Sequence, residues 1–479
     1  MNRTGKISLC IALLLLLCMT MGGCADIGLG SQSILRPPRA TGNEAALQEI
    51  LNKEAGPSYT LKYPQTGDYR AAVTFFDEVN FLSAQTNNDN NDSKTGEQNL
   101  KPEQIKKYAI AFYSIDNESG SQMYVSFMER NDQNWRQMGK FPNPGSGVDR
   151  VIYQDITGDG KGEFLIGWTS YNSSLNNLTA YSIDNGDLRE MTVDESYSDI
   201  VVENFTGDMV KDVLLLSLRT DKSLSTANLL QYDRDSKRPK TSVSVELDSD
   251  VVSFQKIAYG KIDGDRSGVF MDCKKEDGNY VTQVLHYDVK TGKLLTPLTP
   301  LDDSSKTPSV NPTIRKDLIT SRDINNDGKI EVPMVSSMFS TPKQNLGDVC
   351  NLTAWMQIKI ETGQLENKLN TVINYADGYY FVFPTRWVGK VTGMYDHENR
   401  IISFYMWNSE TSGTGDKLLE IHRFRRADWE QSDHSEYVKL LSEDTNGKDY
   451  VIAGRIFTTF ADDEININDA ELEKCVRLV

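Results

Sequence analysis

The chain has 479 residues, a hydrophobic fraction of 38% and a formal net charge of −17 at pH 7. A chain of this length can bury substantial cores, and we expect more than one domain or an array of repeats. The composition excludes an integral membrane protein and a disordered polymer. The acidity argues against binding to nucleic acid or to anionic lipid and suits a soluble body that binds cations.

The first 24 residues have the order of an export signal. Arg3 and Lys6 precede an apolar run at 7–21, which is short for a helix that needs roughly twenty residues to cross a bilayer. The ending Met-Gly-Gly-Cys at 21–24 resembles a bacterial lipobox. The resemblance implies that Cys24 accepts diacylglycerol and becomes the first residue after cleavage. The alternative is an ordinary signal peptide that happens to end near a cysteine.

The lipobox leads to a prediction for the N-terminal part of the chain. Residues 1–23 are a signal peptide, and loss of its two basic residues takes the charge from −17 to about −19. Residues 24–58 hold the lipidated Cys24, a tether rich in glycine, serine and proline, and a short amphipathic helix at 43–53. We therefore expect a lipid-anchored protein on the extracytoplasmic face of the cell membrane, at a Gram-positive cell surface.

Cysteine usage after cleavage is sparse. Besides Cys24, the chain keeps Cys273, Cys350 and Cys475. An odd and widely spaced set is no disulfide framework. One bridge between Cys273 and Cys350 is an alternative, but we favour buried free thiols.

From about residue 59 the chain consists of short alternating runs rich in aromatic and β-branched residues, which is typical of antiparallel strands. Four segments share one turn pattern and have aspartate at the fifth position. They begin at Asp155, Asn204, Lys261 and Asp323, at spacings of 49, 57 and 62 residues. Each copy lies between two strand-like runs, so the pattern indicates an internal repeat.

An earlier, fifth copy is interrupted by a polar, low-complexity insertion at about 81–106. A repeat of four strands and about fifty residues is typical of a propeller blade, because one small sheet cannot bury both of its faces alone. The sequence therefore predicts a mainly β fold. It consists of a propeller-like array of about five four-stranded repeats at 59–377, followed by a small α+β domain at 378–479.

Two copies of the turn carry oxygen-bearing side chains at positions one, three, five and nine, and glycine at position six. Alternate side chains on a tight loop converge, and the main-chain carbonyl of position seven can join them. Calcium accepts six to eight such oxygen ligands. The predicted metal ligands are Asp155, Thr157, Asp159, Lys161 and Glu163 in one copy, and Asp323, Asn325, Asp327, Lys329 and Glu331 in the other. An EF-hand needs an acid at position twelve, where Ile166 and Met334 stand, so that motif is disfavoured.

These loops, which run straight into a strand, resemble the calcium-binding turns of FG-GAP and VCBS repeats of integrin-type β-propellers and secreted bacterial proteins. The resemblance covers roughly 59–374 and implies a structural calcium ion between the first two strands of a blade. The copies at Asn204 and Lys261 depart from it, because Met209 replaces the glycine in one and Val269 replaces the last acid in the other. The alternative is that all these acids only hydrogen-bond to local amides in turns.

No catalytic motif is evident in the sequence. None of the histidines has the spacing of paired metal ligands: His286, His397, His422 and His434. The aromatic residues at 380–387 could form a carbohydrate platform, but alternating aromatics are more often core. We therefore predict no catalytic residue and expect a non-enzymatic binding or scaffold protein, stabilised by calcium, with an envelope protein or glycan as partner. The alternative is an envelope-bound polysaccharide hydrolase or lyase that acts on the propeller face.

Overall fold

A computed structural model describes most of the chain after the predicted tether. The described residues are 43–56, 58–78, 81, 106–117, 120–131, 134–300, 309–342, 344–345, 348–441, 449–457 and 465–479. The predicted signal peptide, Cys24, the tether and most of the insertion at 81–106 lie outside these ranges. Within them, no helix is long and apolar enough to cross a membrane.

The described strands form six antiparallel sheets. The first sheet contains β1 (Tyr59–Leu61), β2 (Val73–Asp77), β3 (Lys107–Asn117), β4 (Gly120–Asn131) and β5 (Asn134–Asn143). The second contains β6 (Gly147–Gln154), β7 (Glu163–Thr169), β8 (Asn176–Asp184) and β9 (Asp187–Tyr197). The third contains β10 (Asp199–Glu203), β11 (Asp212–Ser217), β12 (Thr226–Asp233) and β13 (Arg238–Glu246).

The remaining sheets come in chain order. The fourth contains β14 (Val251–Asp263), β15 (Arg266–Lys275), β16 (Tyr280–Asp288) and β17 (Lys293–Leu295). The fifth contains β18 (Val332–Ser337), β19 (Asn351–Lys359), β20 (Gln364–Asn374), β21 (Tyr379–Val382) and β27 (Val476–Leu478). The sixth contains β22 (Val391–Asp396), β23 (Ile401–Asn408), β24 (Gly413–Arg425), β25 (Val438–Leu441) and β26 (Tyr450–Ile456). The described helices are α1 (Asn43–Ala55), α2 (Arg426–Gln431), α3 (Asp469–Cys475) and a 3₁₀ turn (Thr385–Trp387).

The central strands are buried on both faces, which explains their continuous apolar runs. In β7, Phe164 and Ile166 pack towards the first sheet, whereas Leu165 between them packs towards the third. Alternate side chains of a strand point to opposite faces. A strand between two neighbouring sheets therefore needs an apolar residue at nearly every position.

Each sheet packs face to face on the next sheet in chain order. The shared hydrophobic clusters join Phe127 to Phe164, Leu165 to Leu215, Leu216 to Met271, Phe270 to Ile358, and Phe381 to Phe404. This succession confirms the predicted mainly β, propeller-like class. The number of sheets is six, one more than the number of repeats in the sequence.

The first sheet has a helix on the face that does not meet the second sheet. Leu47 and Leu51 of α1 pack on Ala109 and Tyr113 of β3. None of the hydrophobic clusters in the described part of the chain joins the sixth sheet to the first. We therefore treat the first and sixth sheets as the two ends of the array.

The fifth sheet crosses the predicted boundary between the repeats at 59–377 and the domain at 378–479. β21 lies beyond that boundary but pairs with β20, with Thr371 opposite Val382, and β27 extends the same sheet. Because β21 completes the fifth sheet, we place the start of the C-terminal region after β21 rather than at 378. The C-terminal region after β21 forms the sixth sheet with α2 and α3, and the chain returns from there to the fifth sheet through β27.

Candidate functional site

The second-sheet loop (155–163) joins β6 to β7, at the place that the repeat predicts. The carboxylate of Asp155 accepts hydrogen bonds from the amides of Gly158 and Gly160, at 2.7 and 2.9 Å. The carboxylate of Asp159 accepts one from the amide of Lys161, at 2.8 Å. Two of the predicted ligands therefore hold the backbone of their own loop.

Glu163, the last predicted ligand of this loop, is only 2% exposed. Its carboxylate accepts hydrogen bonds from the amides of Ile156 and Thr157, at 3.0 and 3.2 Å, and from the Thr157 hydroxyl at 3.3 Å. Burial, together with the charges of Asp159 and Asp155, raises the pKa of Glu163 to about 8. Negative charge is thus concentrated around a buried carboxylate.

The fifth-sheet loop (323–331) precedes β18 and repeats the same arrangement. Asp323 accepts hydrogen bonds from the amides of Asp327 and Gly328, at 3.0 and 2.8 Å. Asp327 accepts one from the amide of Lys329 at 2.9 Å, and the Asn325 side-chain oxygen accepts one from the amide of Asp327 at 2.9 Å. The two intact copies therefore fold alike although they lie in different sheets.

Glu331 takes the place of Glu163 in the fifth-sheet loop and is 0% exposed. Its carboxylate accepts a hydrogen bond from the amide of Ile324 at 3.2 Å. Burial, together with Asp327 and Asp323, raises the pKa of Glu331 to about 7. Both copies thus bury the acid at position nine beneath two further carboxylates.

The copy at Asn204 keeps the loop without the glycine. Asp212 accepts hydrogen bonds from the amide and the hydroxyl of Thr206, both at 3.1 Å. Met209 has a φ of +69°, close to the +85° of Gly160 and the +82° of Gly328. A left-handed φ is strained for a residue with a Cβ. The loop at Asn204 therefore keeps its left-handed turn although methionine replaces the glycine that would adopt it without strain.

The copy at Lys261 has no such loop. Asp263 of β14 pairs directly with Arg266 of β15, so that only Gly264 and Asp265 form the turn. Asp265 lies 3.5 Å from the ammonium of Lys261 at the surface. This copy, which lacks the acids of positions one and nine, forms a two-residue hairpin instead of the loop.

The chemistry of the two intact loops fits calcium, but the ligand set is not assembled. No three His, Cys, Asp or Glu side chains in the described ranges are grouped as metal ligands. The loop lysine Lys161 pairs outside the loop, 3.3 Å from Asp184. A carboxylate has about four lone-pair positions, so its bonds to turn amides leave capacity for a cation. Calcium binding by these residues stays a prediction.

The histidines belong to no group of metal ligands in the described part of the chain. His286 is buried and hydrogen-bonds through Nδ1 to the carbonyl of Ser267 at 2.8 Å, whereas His397 lies at the exposed turn between β22 and β23. His422 and His434 both pack against Phe424 of the sixth sheet. The aromatic residues at 380–387 are buried, which confirms their interpretation as core.

The carboxylates of Asp149, in the first strand of the second sheet, and Asp199, in the first strand of the third sheet, share one arginine. Arg150 donates to Asp149 and Asp199, at 2.8 and 2.7 Å, and Asp149 also accepts from the hydroxyls of Thr66 and Tyr197, at 2.8 and 2.7 Å. Burial disfavours the charge of Arg150, but Asp199 and Asp149 together raise its pKa. These acids serve a hydrogen-bonded network that joins three sheets, and no motif in the sequence predicts it.

A groove of about 590 Å³ lies on the sixth sheet, along β22 and β23. We call it the sixth-sheet groove, and its main lining residues are Asp348, Tyr395, His397, Ser403, Tyr405 and Lys417. These residues come from two strands of one hairpin, a third strand and a distant loop. Because no motif links them in the sequence, only the folded chain brings them together.

Comparison with known proteins supports no assignment to a family. No protein-family model matches the chain, and no curated protein matches it. A crystal structure of a protein from Lactobacillus plantarum has a TM-score of 0.27 and 8% identity, covering 67% of this chain and 93% of that one. The Dos1 propeller has a TM-score of 0.25 and 9% identity, covering 57% and 62%. An exo-β-1,3-galactanase from Phanerochaete chrysosporium has a TM-score of 0.27 and 9% identity, covering 76% and 81%. Likenesses this weak carry no argument about the activity of this chain.

Proposed function

We propose that the chain is a lipid-anchored extracytoplasmic binding or scaffold protein whose β array is stabilised by calcium. The observation that carries this proposal is the repeated loop. In both intact copies, Glu163 and Glu331 are buried beneath two carboxylates, and all these acids bond to backbone amides of the loop. Acids that bond to the backbone of their own loop stabilise the fold. Binding of a partner then falls to other loops on the surface of the array.

The calcium part of the proposal has a direct thermodynamic test. A ligand that binds only the folded state stabilises by about 2.7 kcal/mol at a hundred times its Kd. We expect the melting temperature of the full-length chain to rise by a few degrees in millimolar calcium relative to chelator. Asp327→Ala and Asp159→Ala should each reduce this rise, because each removes an acid from an intact loop.

The hairpin copy supplies a matched control. Asp265 stands at the same position of the repeat as Asp159 and Asp327 but lies exposed in a two-residue turn. Asp265→Ala should therefore leave the calcium-dependent rise unchanged. Equal melting temperatures in calcium and in chelator for the unsubstituted chain would remove calcium from the proposal.

The anchor is tested separately at Cys24. In a Gram-positive host, the unsubstituted chain should fractionate with membranes and take up a fatty-acid label. Cys24→Ala removes the sulfur that would accept diacylglycerol. We expect this variant to lose the label and to leave the membrane fraction, with Cys273→Ala as the control that retains both. Equal labelling of the Cys24→Ala variant would contradict the lipobox.

A further inference from the structure

The sixth sheet ends the array, so its two faces have different surroundings. On one face, Ile402 and Phe404 of β23 pack into the core shared with the fifth sheet. Ser403 and Tyr405 lie on the same strand and line the groove instead. The interior sheets of the array lie between two neighbours, whereas this face meets no further sheet in the described part of the chain.

Part of the outer face is covered by the segment that contains α2. Trp429 and His434 stack at 4.4 Å with an interplanar angle of 4°, and both pack on Phe424 of β24. Tyr437 joins the same cluster. The sixth-sheet groove lies beside this cover, over β22 and β23, where the sheet face remains accessible.

The groove combines aromatic rings with hydrogen-bonding groups. Tyr395 and His397 meet edge to face at 4.3 Å and form one wall. Tyr405 lies half-buried opposite Lys417 in the strand register. No hydrogen bond within the described chain occupies the Tyr405 hydroxyl. A ring with an unsatisfied hydroxyl offers both an apolar surface and a polar contact to a ligand.

Acidic side chains outnumber basic ones in the lining of the groove, where Asp348, Asp396 and Glu398 accompany the single lysine Lys417. Lys417 pairs with Glu420, which is buried beneath it, and His397 lies 3.9 Å from Asp348. Glu398 at the rim adds negative charge. Carboxylates accept hydrogen bonds from hydroxyl groups, and the surplus of acids opposes an anionic ligand. This lining favours a ligand with many hydroxyl groups and no net charge.

We propose that the sixth-sheet groove binds a neutral oligosaccharide. The inference deepens the proposed binding role and rests on it. The rings present apolar surface to the C–H faces of sugar residues, and the carboxylates and the Tyr405 hydroxyl hydrogen-bond to their hydroxyl groups. A volume of about 590 Å³ lies within the ordinary range for small-molecule sites, roughly 300–1,000 Å³.

Saturation-transfer NMR on the full-length chain in detergent tests this site. The probes are cellotriose, maltotriose and triacetylchitotriose as neutral sugars, trigalacturonate as an anionic one, and an end-blocked tetra-alanine as a peptide. We expect at least one neutral trisaccharide to bind, and trigalacturonate and the peptide to give no signal. Tyr405→Ala should weaken that binding about tenfold, and Tyr405→Phe should weaken it less because it removes only the hydroxyl.

Tyr63→Ala is the matched control, because Tyr63 is 61% exposed and lies before β2, in the first part of the array. It should leave sugar binding unchanged. If Tyr405→Ala does not fold, Tyr405→Phe and His397→Ala carry the test. Binding of no neutral trisaccharide, binding only of trigalacturonate or the peptide, or binding that these variants leave unchanged would each overturn the proposal. Failure of the sugar-binding test is distinguishable from failure of the proposed function. Calcium binding is tested separately at Asp159 and Asp327, and membrane anchoring at Cys24.

Discussion

Replacing Asp377 by alanine is expected to destabilise the junction between the fifth and sixth sheets by about 1–3 kcal/mol. The Asp377 side chain is completely buried. Its carboxylate accepts hydrogen bonds from Arg400 at 2.5 Å and from Asn374 at 2.8 Å, and it lies 3.4 Å from Arg423. Arg400 lies in the turn between β22 and β23 and Arg423 lies in β24, whereas Asp377 lies in the turn between β20 and β21. Alanine would deprive the buried Asn374 amide of this acceptor, and Arg400 and Arg423, whose side chains are 34% and 30% exposed, of their counter-ion.

The effect should be local as well as large. Chemical denaturation followed by tryptophan fluorescence measures the loss of stability, and hydrogen exchange shows where it falls. We expect faster exchange in β22 to β24 and unchanged protection in β7 and β11. Asp416→Ala, at an exposed position of β24, is the control and should change stability by no more than about 0.5 kcal/mol. If the sixth sheet of the Asp377→Ala variant exchanges at the same rate as that of the unsubstituted chain, Asp377 does not stabilise that sheet.

The sequence was sufficient for the repeated part of the fold. Alternation predicted antiparallel strands, and the turn pattern predicted where the first two strands of the second, third and fourth sheets meet. β2 and β3 pair on either side of the insertion at 81–106, as the interrupted copy requires. The helix predicted at 43–53 is α1 (Asn43–Ala55). Local signals succeeded here because short-range backbone geometry determines a turn.

The sequence was insufficient where distant residues meet. The sixth sheet lacks the acidic turn, since β22 and β23 are joined through 397–400 without the repeated pattern. The predicted boundary at 378 came from the loss of that pattern rather than from the pairing of β21 with β20. The counter-ions of Asp377 lie 23 and 46 positions along the chain. No spacing rule predicts such contacts, and the sixth-sheet groove arises in the same way.

Replacing Asp272 by alanine is expected to destabilise the protein by about 3–5 kcal/mol, because this ion pair is buried on both sides. Asp272 is 1% exposed, and the side chain of its partner Arg315 is 0% exposed. Asp272 accepts from Arg315 at 2.9 Å, from the Thr282 hydroxyl at 2.6 Å and from the Ser321 amide at 2.7 Å. These bonds hold the connection to the fifth sheet against β15 and β16. Burial lowers the pKa of Arg315 in spite of Asp272, but an arginine cannot shed its charge in a protein.

A double substitution separates the cost of an orphaned charge from the value of the pair. Asp272→Leu combined with Arg315→Met replaces both buried ions by apolar side chains, and we expect it to recover most of the stability that Asp272→Ala loses. Asp235→Ala, at an exposed turn between β12 and β13, controls for the loss of one acid. Urea denaturation of the four chains measures the comparison. If the double variant is as unstable as Asp272→Ala, the loss of stability comes from the hydrogen bonds that Thr282 and Ser321 make to Asp272. The uncompensated guanidinium of Arg315 is then not its cause.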